Sequence, residues 1–82
     1  MNSDQEGVRL APVTLTDAEL HLTHREREVL VLLARGLQLE EIGRELGIGA
    51  ETVRTHVRNA SERLGAANRT HAVAIAIRRK LI

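Results

Sequence analysis

The chain has 82 residues, 43% apolar and 28% charged, enough for one small folded domain but not for the two lobes with which most enzymes enclose a substrate. It contains no Phe, Tyr or Trp and no Cys, which excludes base stacking on an aromatic platform as well as disulfides, thiolate zinc sites and cysteine nucleophiles. The net charge of +1 conceals −3 over residues 1–21 and +5 over residues 50–82, an asymmetry that can mark a face for a polyanion.

Residues 1–21 hold Gly7, the lone Pro12 and scattered acids with no sustained periodicity, and are expected to form a flexible acidic tail or linker. Thr16 and Glu19 have capping-box spacing, so one short helical turn is expected there. Residues 22–82 form the expected domain. Thr23 and Glu26 make a second capping box, followed by Val29, Leu30, Leu33, Ala34 and Leu37 at helical spacing and by Gly36 where a left-handed cap belongs. A first helix over about 24–35 follows. Leu39, Ile42 and Leu46 share one side of a short helix, 39–46, that stops at Gly47. After Ile48 and Gly49 a third helix runs over about 50–64 to Gly65, with Val53, Val57, Ala60 and Leu64 in a narrow arc. The Asn68 cap opens a fourth, over about 69–79. There is no strand candidate, so the fold class is all-α, a four-helix bundle containing a helix-turn-helix. The longest apolar runs, Val29 to Ala34 and Ala72 to Ile77, are too short to span a bilayer; the expectation is a cytoplasmic protein with no membrane contact.

If the apolar arc of the third helix faces inward, Arg54, Arg58 and Ser61 point to one flank, with Thr55, Glu51 and Glu62 adjoining. Thr52, His56, Asn59 and Arg63 form a polar stripe on the other. A helix lying in a major groove needs such an arrangement: an apolar back, forked donors for guanine O6 and N7, and polar stripes that reach phosphates. An amphipathic helix that simply faces water shows much of the same pattern, and the face alone does not separate the two.

Leu22-Thr23, Arg25-Glu26-Arg27-Glu28-Val29-Leu30, Leu33-Ala34-Arg35-Gly36-Leu37, Glu41-Ile42, Leu46-Gly47-Ile48, Thr52-Val53-Arg54-Thr55-His56, Asn59, Arg63-Leu64-Gly65 and Asn68-Arg69-Thr70 together resemble the LuxR/GerE-type helix-turn-helix domain. The match runs over about residues 22–82, through all four helices in register. Region 4 of sigma factors has a similar middle section, but the Asn68-Arg69-Thr70 entry to an apolar fourth helix favours LuxR/GerE. The resemblance implies a dimeric, sequence-specific binder of double-stranded DNA in a bacterial transcription regulator, with the third helix in the major groove. By that carry-over Arg54, Thr55 and Arg58 contact bases, and Thr52, His56 and Asn59 lie by the phosphate backbone. The chain departs from the family at Gln38, Leu39 and Glu40, where small or polar residues and a Lys are usual, at Gly49 in place of a Ser cap, and at Ala60 in place of a bulky Ile.

The fourth helix has apolar residues on two sides: Ala72, Val73, Ala76 and Ile77 on one arc, Ala74, Ile75 and Leu81 on much of the rest. A monomer needs one such face; the second, with the resemblance, makes Ala74, Ile75 and Arg78 the expected dimer contact on a two-fold symmetric site. A metal site at His21 and His24 is not expected, because the pair straddles a helix cap without further ligands. Nor is catalysis, since no nucleophile set, phosphate-cradling loop or paired-carboxylate cleft is legible; no cofactor is implied. The alternative reading is a protein-interaction module that keeps the fold, has lost or weakened DNA binding, and docks on a sigma factor, RNA polymerase or a partner regulator. Leu39, Glu40 and the acidic tail speak for it. Met1 reads as a natural start and hence a free-standing domain, the output domain of a longer regulator being the other reading.

Overall fold

The computed structural model describes residues 21–82, and within them the chain forms four helices: α1 (His24–Ala34), α2 (Leu39–Leu46), α3 (Ala50–Leu64) and α4 (Arg69–Arg78). The Thr16–Glu19 turn and the flexible character expected of the tail lie outside the described residues. Each helix begins and ends where local chemistry stops it. Thr23 Oγ1 accepts from the Glu26 N–H at 3.1 Å while the Thr23 N–H donates to Glu26 Oε1 at 3.0 Å, closing the expected capping box at α1. At α2 the Gln38 N–H donates to Glu41 Oε1 at 2.7 Å. Gly49 caps α3 with no side-chain bond, and Asn68 Oδ1 accepts from the His71 N–H at 2.8 Å to open α4.

The connection between α2 and α3 fixes the angle at which α3 is presented. Gly47 turns the chain with φ of 72°, a left-handed conformation that costs glycine little and other residues more. Its N–H and that of Ile48 both donate to the Gly43 carbonyl. Gly43 itself is buried, and a Cβ there would stand 2.6 Å from the Ile48 carbonyl oxygen. Only glycine lets the turn fold back this closely on α2.

Two apolar clusters hold the helices together. Val29, Leu39, Ile42, Val53 and Val57 join α1, α2 and the first half of α3, with Leu32, Leu37, Leu46 and Ile48 at the margin. Leu22, Leu30, Ala60, Leu64, Ala72 and Ala76 join α1, the second half of α3 and α4, with Val73, Ile75, Leu81 and Ile82 packed against them. Leu39 is therefore a core residue, 7% exposed; its place at the start of α2, noted in the sequence as a departure, is explained by packing. Ala60 is fully buried, so α4 closes onto α3 over a methyl where a longer side chain would hold it off. Ala34 is exposed and Leu33 only half-buried, because α1 turns those residues towards the rim. No helix of the described residues is long and apolar enough to cross a membrane.

One polar group enters this interior. Glu26 is 3% exposed, and besides capping α1 it accepts from Arg63 Nε at 3.2 Å and, at 3.5 Å, from Nη2. A charge is tolerated at such depth only when paired and hydrogen-bonded, and Arg63, 37 residues away, supplies the pair. Arg63 was expected on the same polar stripe as Thr52, His56 and Asn59; its guanidinium instead ties the far end of α3 to the start of α1. At the other terminus Arg27 Nε donates to the Leu81 carbonyl at 3.0 Å, fastening the end of the chain to α1.

Candidate nucleic-acid interface

Val53, Val57, Ala60 and Leu64 are all buried, so the rotation of α3 assumed from the sequence is the one the fold adopts. At 100° per residue the direction opposite that arc falls to Glu51, Thr55 and Glu62, with Arg54 and Arg58 on one flank and Thr52 and Asn59 on the other. Thr52, Arg54, Arg58 and Asn59 are exposed, while Thr55 and His56 are half-buried. The six residues singled out in the sequence thus lie on one continuous surface of α3, His56 nearest its packed side.

Their side chains are not equally free. Arg54 Nη1 donates to Glu51 Oε2 at 3.1 Å, a pair whose side chains are 48% and 92% exposed. Such an i,i+3 pair adds only a few tenths of a kcal/mol to helix stability, and its consequence is orientation: one donor of the fork is engaged while the others stay free. Thr55 Oγ1 donates to the Glu51 carbonyl at 3.2 Å. With its proton committed to its own helix, Thr55 offers an acceptor oxygen and a methyl group. Arg58 is exposed and, among the described residues, has no ion pair or side-chain hydrogen bond.

A notch of about 380 Å³ opens beside Arg54, lined by Leu33, Leu37, Gln38, Leu39, Glu40 and Arg69. Here the fold brings Arg69, in the first turn of α4, to the same recess as Arg54 and as Glu40 at the start of α2. Sequence reasoning missed Arg69 as a member of this surface. The available signals were its positive charge and its place in the Asn68-Arg69-Thr70 motif, and no helical period connects it to α3.

On α4, Ala72 and Ala76 are buried, Val73, Ala74 and Ile75 half-buried, and Arg78 exposed. Ile77, read in the sequence as part of the inward arc, is 54% exposed; it borders Val31, Ala34, Arg35 and Ile82 in a shallow recess. Ile75 and Leu81 do the reverse, packing at the margin of the core. By helical rotation Ala74 points away from the packed side, between His71 and Arg78. Of the two histidines weighed as metal ligands, His21 is exposed and His24 Nε2 lies 3.3 Å from Glu28 Oε2.

Comparison with known proteins places this geometry. The GerE model, described as bacterial regulatory proteins of the luxR family, matches residues 20–76. The chain is 51% identical over 61 residues to the transcriptional activator protein BjaR1 of Bradyrhizobium diazoefficiens, covering 74% of this chain and 25% of that protein. It is 44% identical over 78 residues to the probable transcriptional regulatory protein NarL of Mycobacterium tuberculosis, covering 95% and 32%. To the transcriptional regulatory protein LiaR of Bacillus subtilis it is 44% identical over 61 residues, covering 74% and 29%. The chain therefore spans about a quarter to a third of the length of these relatives. Among solved structures the transcription factor GerE superposes with a TM-score of 0.70 at 37% identity, covering 72% of this chain and 88% of that one. The family match over most of the described residues and the agreement in fold lead to one conclusion: the chain belongs to the luxR family of bacterial regulatory proteins.

Proposed function

We propose that this chain is a sequence-specific double-stranded DNA-binding module of a cytoplasmic transcription regulator, with α3 seated in the major groove. The observation that carries the proposal is the surface of α3. A rigid helix, backed by a packed apolar arc and set by a three-residue turn, presents Arg54 and Arg58 four residues apart on one exposed flank. Arg54 and Arg58 read guanine through O6 and N7. Thr55, its hydroxyl proton already engaged, contacts a thymine methyl or accepts from an amino group. Thr52, His56 and Asn59 meet the phosphates and set the register.

Two copies bind a two-fold symmetric site, joined through Ala74, Ile75 and Arg78 of α4. Ala74 is the centre of that contact; Ile75, already packed at the core margin, contributes its exposed edge. The pairing sets two α3 helices about one helical turn of DNA apart.

Binding selection from a random duplex pool at two salt concentrations, with the wild-type chain and the Arg54→Ala/Arg58→Ala variant, tests this. A palindromic site enriched by the wild type and lost in the variant supports a dimeric major-groove reader. If neither protein enriches a site and binding is weak even at low salt, the DNA-binding reading is wrong and the fold serves a protein partner.

A further inference from the structure

The first turn of α3 carries a carboxylate in the middle of the surface assigned to DNA. Glu51 has a side chain 92% exposed against 48% for Arg54, and helical rotation points it directly away from the packed arc, in line with Thr55 one turn on. Facing a polyanion, an exposed carboxylate opposes binding to every duplex unless it accepts a hydrogen bond there. The base edges of the major groove offer two donors, the cytosine N4 and adenine N6 amino groups, whereas guanine N7 and O6 and thymine O4 repel it. Adenine also sets its N7 acceptor beside N6, so cytosine is the better match.

The two charged heads stand close together. Arg54 Nη1 donates to Glu51 Oε2 at 3.1 Å, so the two heads are held side by side and face neighbouring positions of the groove together. We infer that Glu51 is a specificity-determining residue, its carboxylate accepting from cytosine N4 next to the guanine bound by Arg54, so that the pair reads two adjacent bases as a unit. The inference rests on the DNA-reading role of α3 proposed above. Glu51 also excludes guanine and thymine from that position, and it lowers affinity for unrelated sequence while doing so.

A carboxylate in a first helical turn also stabilises the helix, a role that leaves base preference untouched; base preference is therefore the readout. Selection from a random duplex pool is carried out with the wild type, Glu51→Ala and Glu51→Gln, each shown by circular dichroism to be folded. The wild type should enrich a guanine with an adjoining cytosine. Glu51→Ala should keep the guanine, lose about tenfold of discrimination at its neighbour and bind random duplex more tightly. Glu51→Gln should move the neighbour to adenine, which glutamine contacts through N6 and N7. If all three proteins select the same neighbouring base, the inference is overturned while the DNA-reading role stands. A wild type that enriches no site overturns both.

Discussion

Replacing Glu26 by alanine removes one carboxylate that serves two purposes. Its Oε1 accepts from the Thr23 N–H at 3.0 Å and from Arg63 Nε at 3.2 Å. Losing half of the capping box costs about 1 kcal/mol. Breaking a fully buried ion pair costs about 3–5 kcal/mol, but the Arg63 side chain is 40% exposed and can turn to water, which reduces that part to about 1–2 kcal/mol. The expected loss is about 2–3 kcal/mol, a fall in Tm of roughly 10–20 °C for a domain of this size. Because the chain has no Trp or Tyr, the assay is urea unfolding followed by far-ultraviolet circular dichroism. Arg63→Met should be at least as costly, since it strands the carboxylate in the interior, and the Glu26→Leu/Arg63→Met pair should recover part of the loss. A Glu26→Ala variant within about 0.5 kcal/mol of wild type, or strict additivity of the two sites, would refute the assignment of Arg63 to the fold and return it to the DNA-facing stripe.

Gly43→Ala should lower the urea midpoint by an amount corresponding to about 1–3 kcal/mol, because the new methyl meets the Ile48 carbonyl as overpacking does elsewhere; helix propensity alone would predict a gain, so the sign of the shift decides. Arg69→Ala should weaken binding to all duplexes alike and reduce the salt slope by about 0.9, the signature of one lost phosphate contact; a change in base preference would show instead that Arg69 reads sequence. Ala74→Glu, at a half-buried position that faces away from the packed side, should cost the monomer no more than about 1 kcal/mol, yet abolish the dimer in sedimentation and weaken palindromic sites far more than half-sites. A dimer that survives the substitution places the two-fold contact elsewhere, and the exposed Ile77 becomes the next position to charge.

The helices were legible to within a residue because their ends are written locally. Thr23 with Glu26, Gly47, Gly65 and Asn68 each act over three or four positions, the first and last opening a helix and the two glycines ending one. The rotation of α3 was legible for the same reason, since Val53, Val57, Ala60 and Leu64 admit a single buried side. What escaped were relations between helices. Arg63 repeats at the right interval to join a polar stripe, and only the crossing of α1 over α3 shows that its partner is Glu26. Arg69 belongs beside Arg54 only after α4 has folded back, and the need for glycine at position 43 arises from a carbonyl five residues later in the turn. Ile77 and Ile75 exchanged their expected places because α4 is so rich in short apolar residues that periodicity does not single out one side. Leu39 looked anomalous against a family pattern, although its spacing with Ile42 and Leu46 had already marked it as interior.

The division of the interior into two clusters makes α3 a shaft with two bearings, both braced by α1. Val53 and Val57, beneath Arg54, rest on α1 and α2, whereas Ala60 and Leu64 rest on α4 and on Leu22 and Leu30. Among the partly buried apolar residues Leu33 alone borders both clusters. On the pairing proposed for α4, its exchange for that of another family member, spliced beyond Gly65, would alter which chains pair and leave Val53 and Val57 seated, while taking Arg69 out of the recess beside Arg54. On that reading base choice and choice of pairing partner become separable parts, and a hybrid chain recombines them as long as the new α4 keeps small residues where Ala72 and Ala76 meet Ala60 and Leu64.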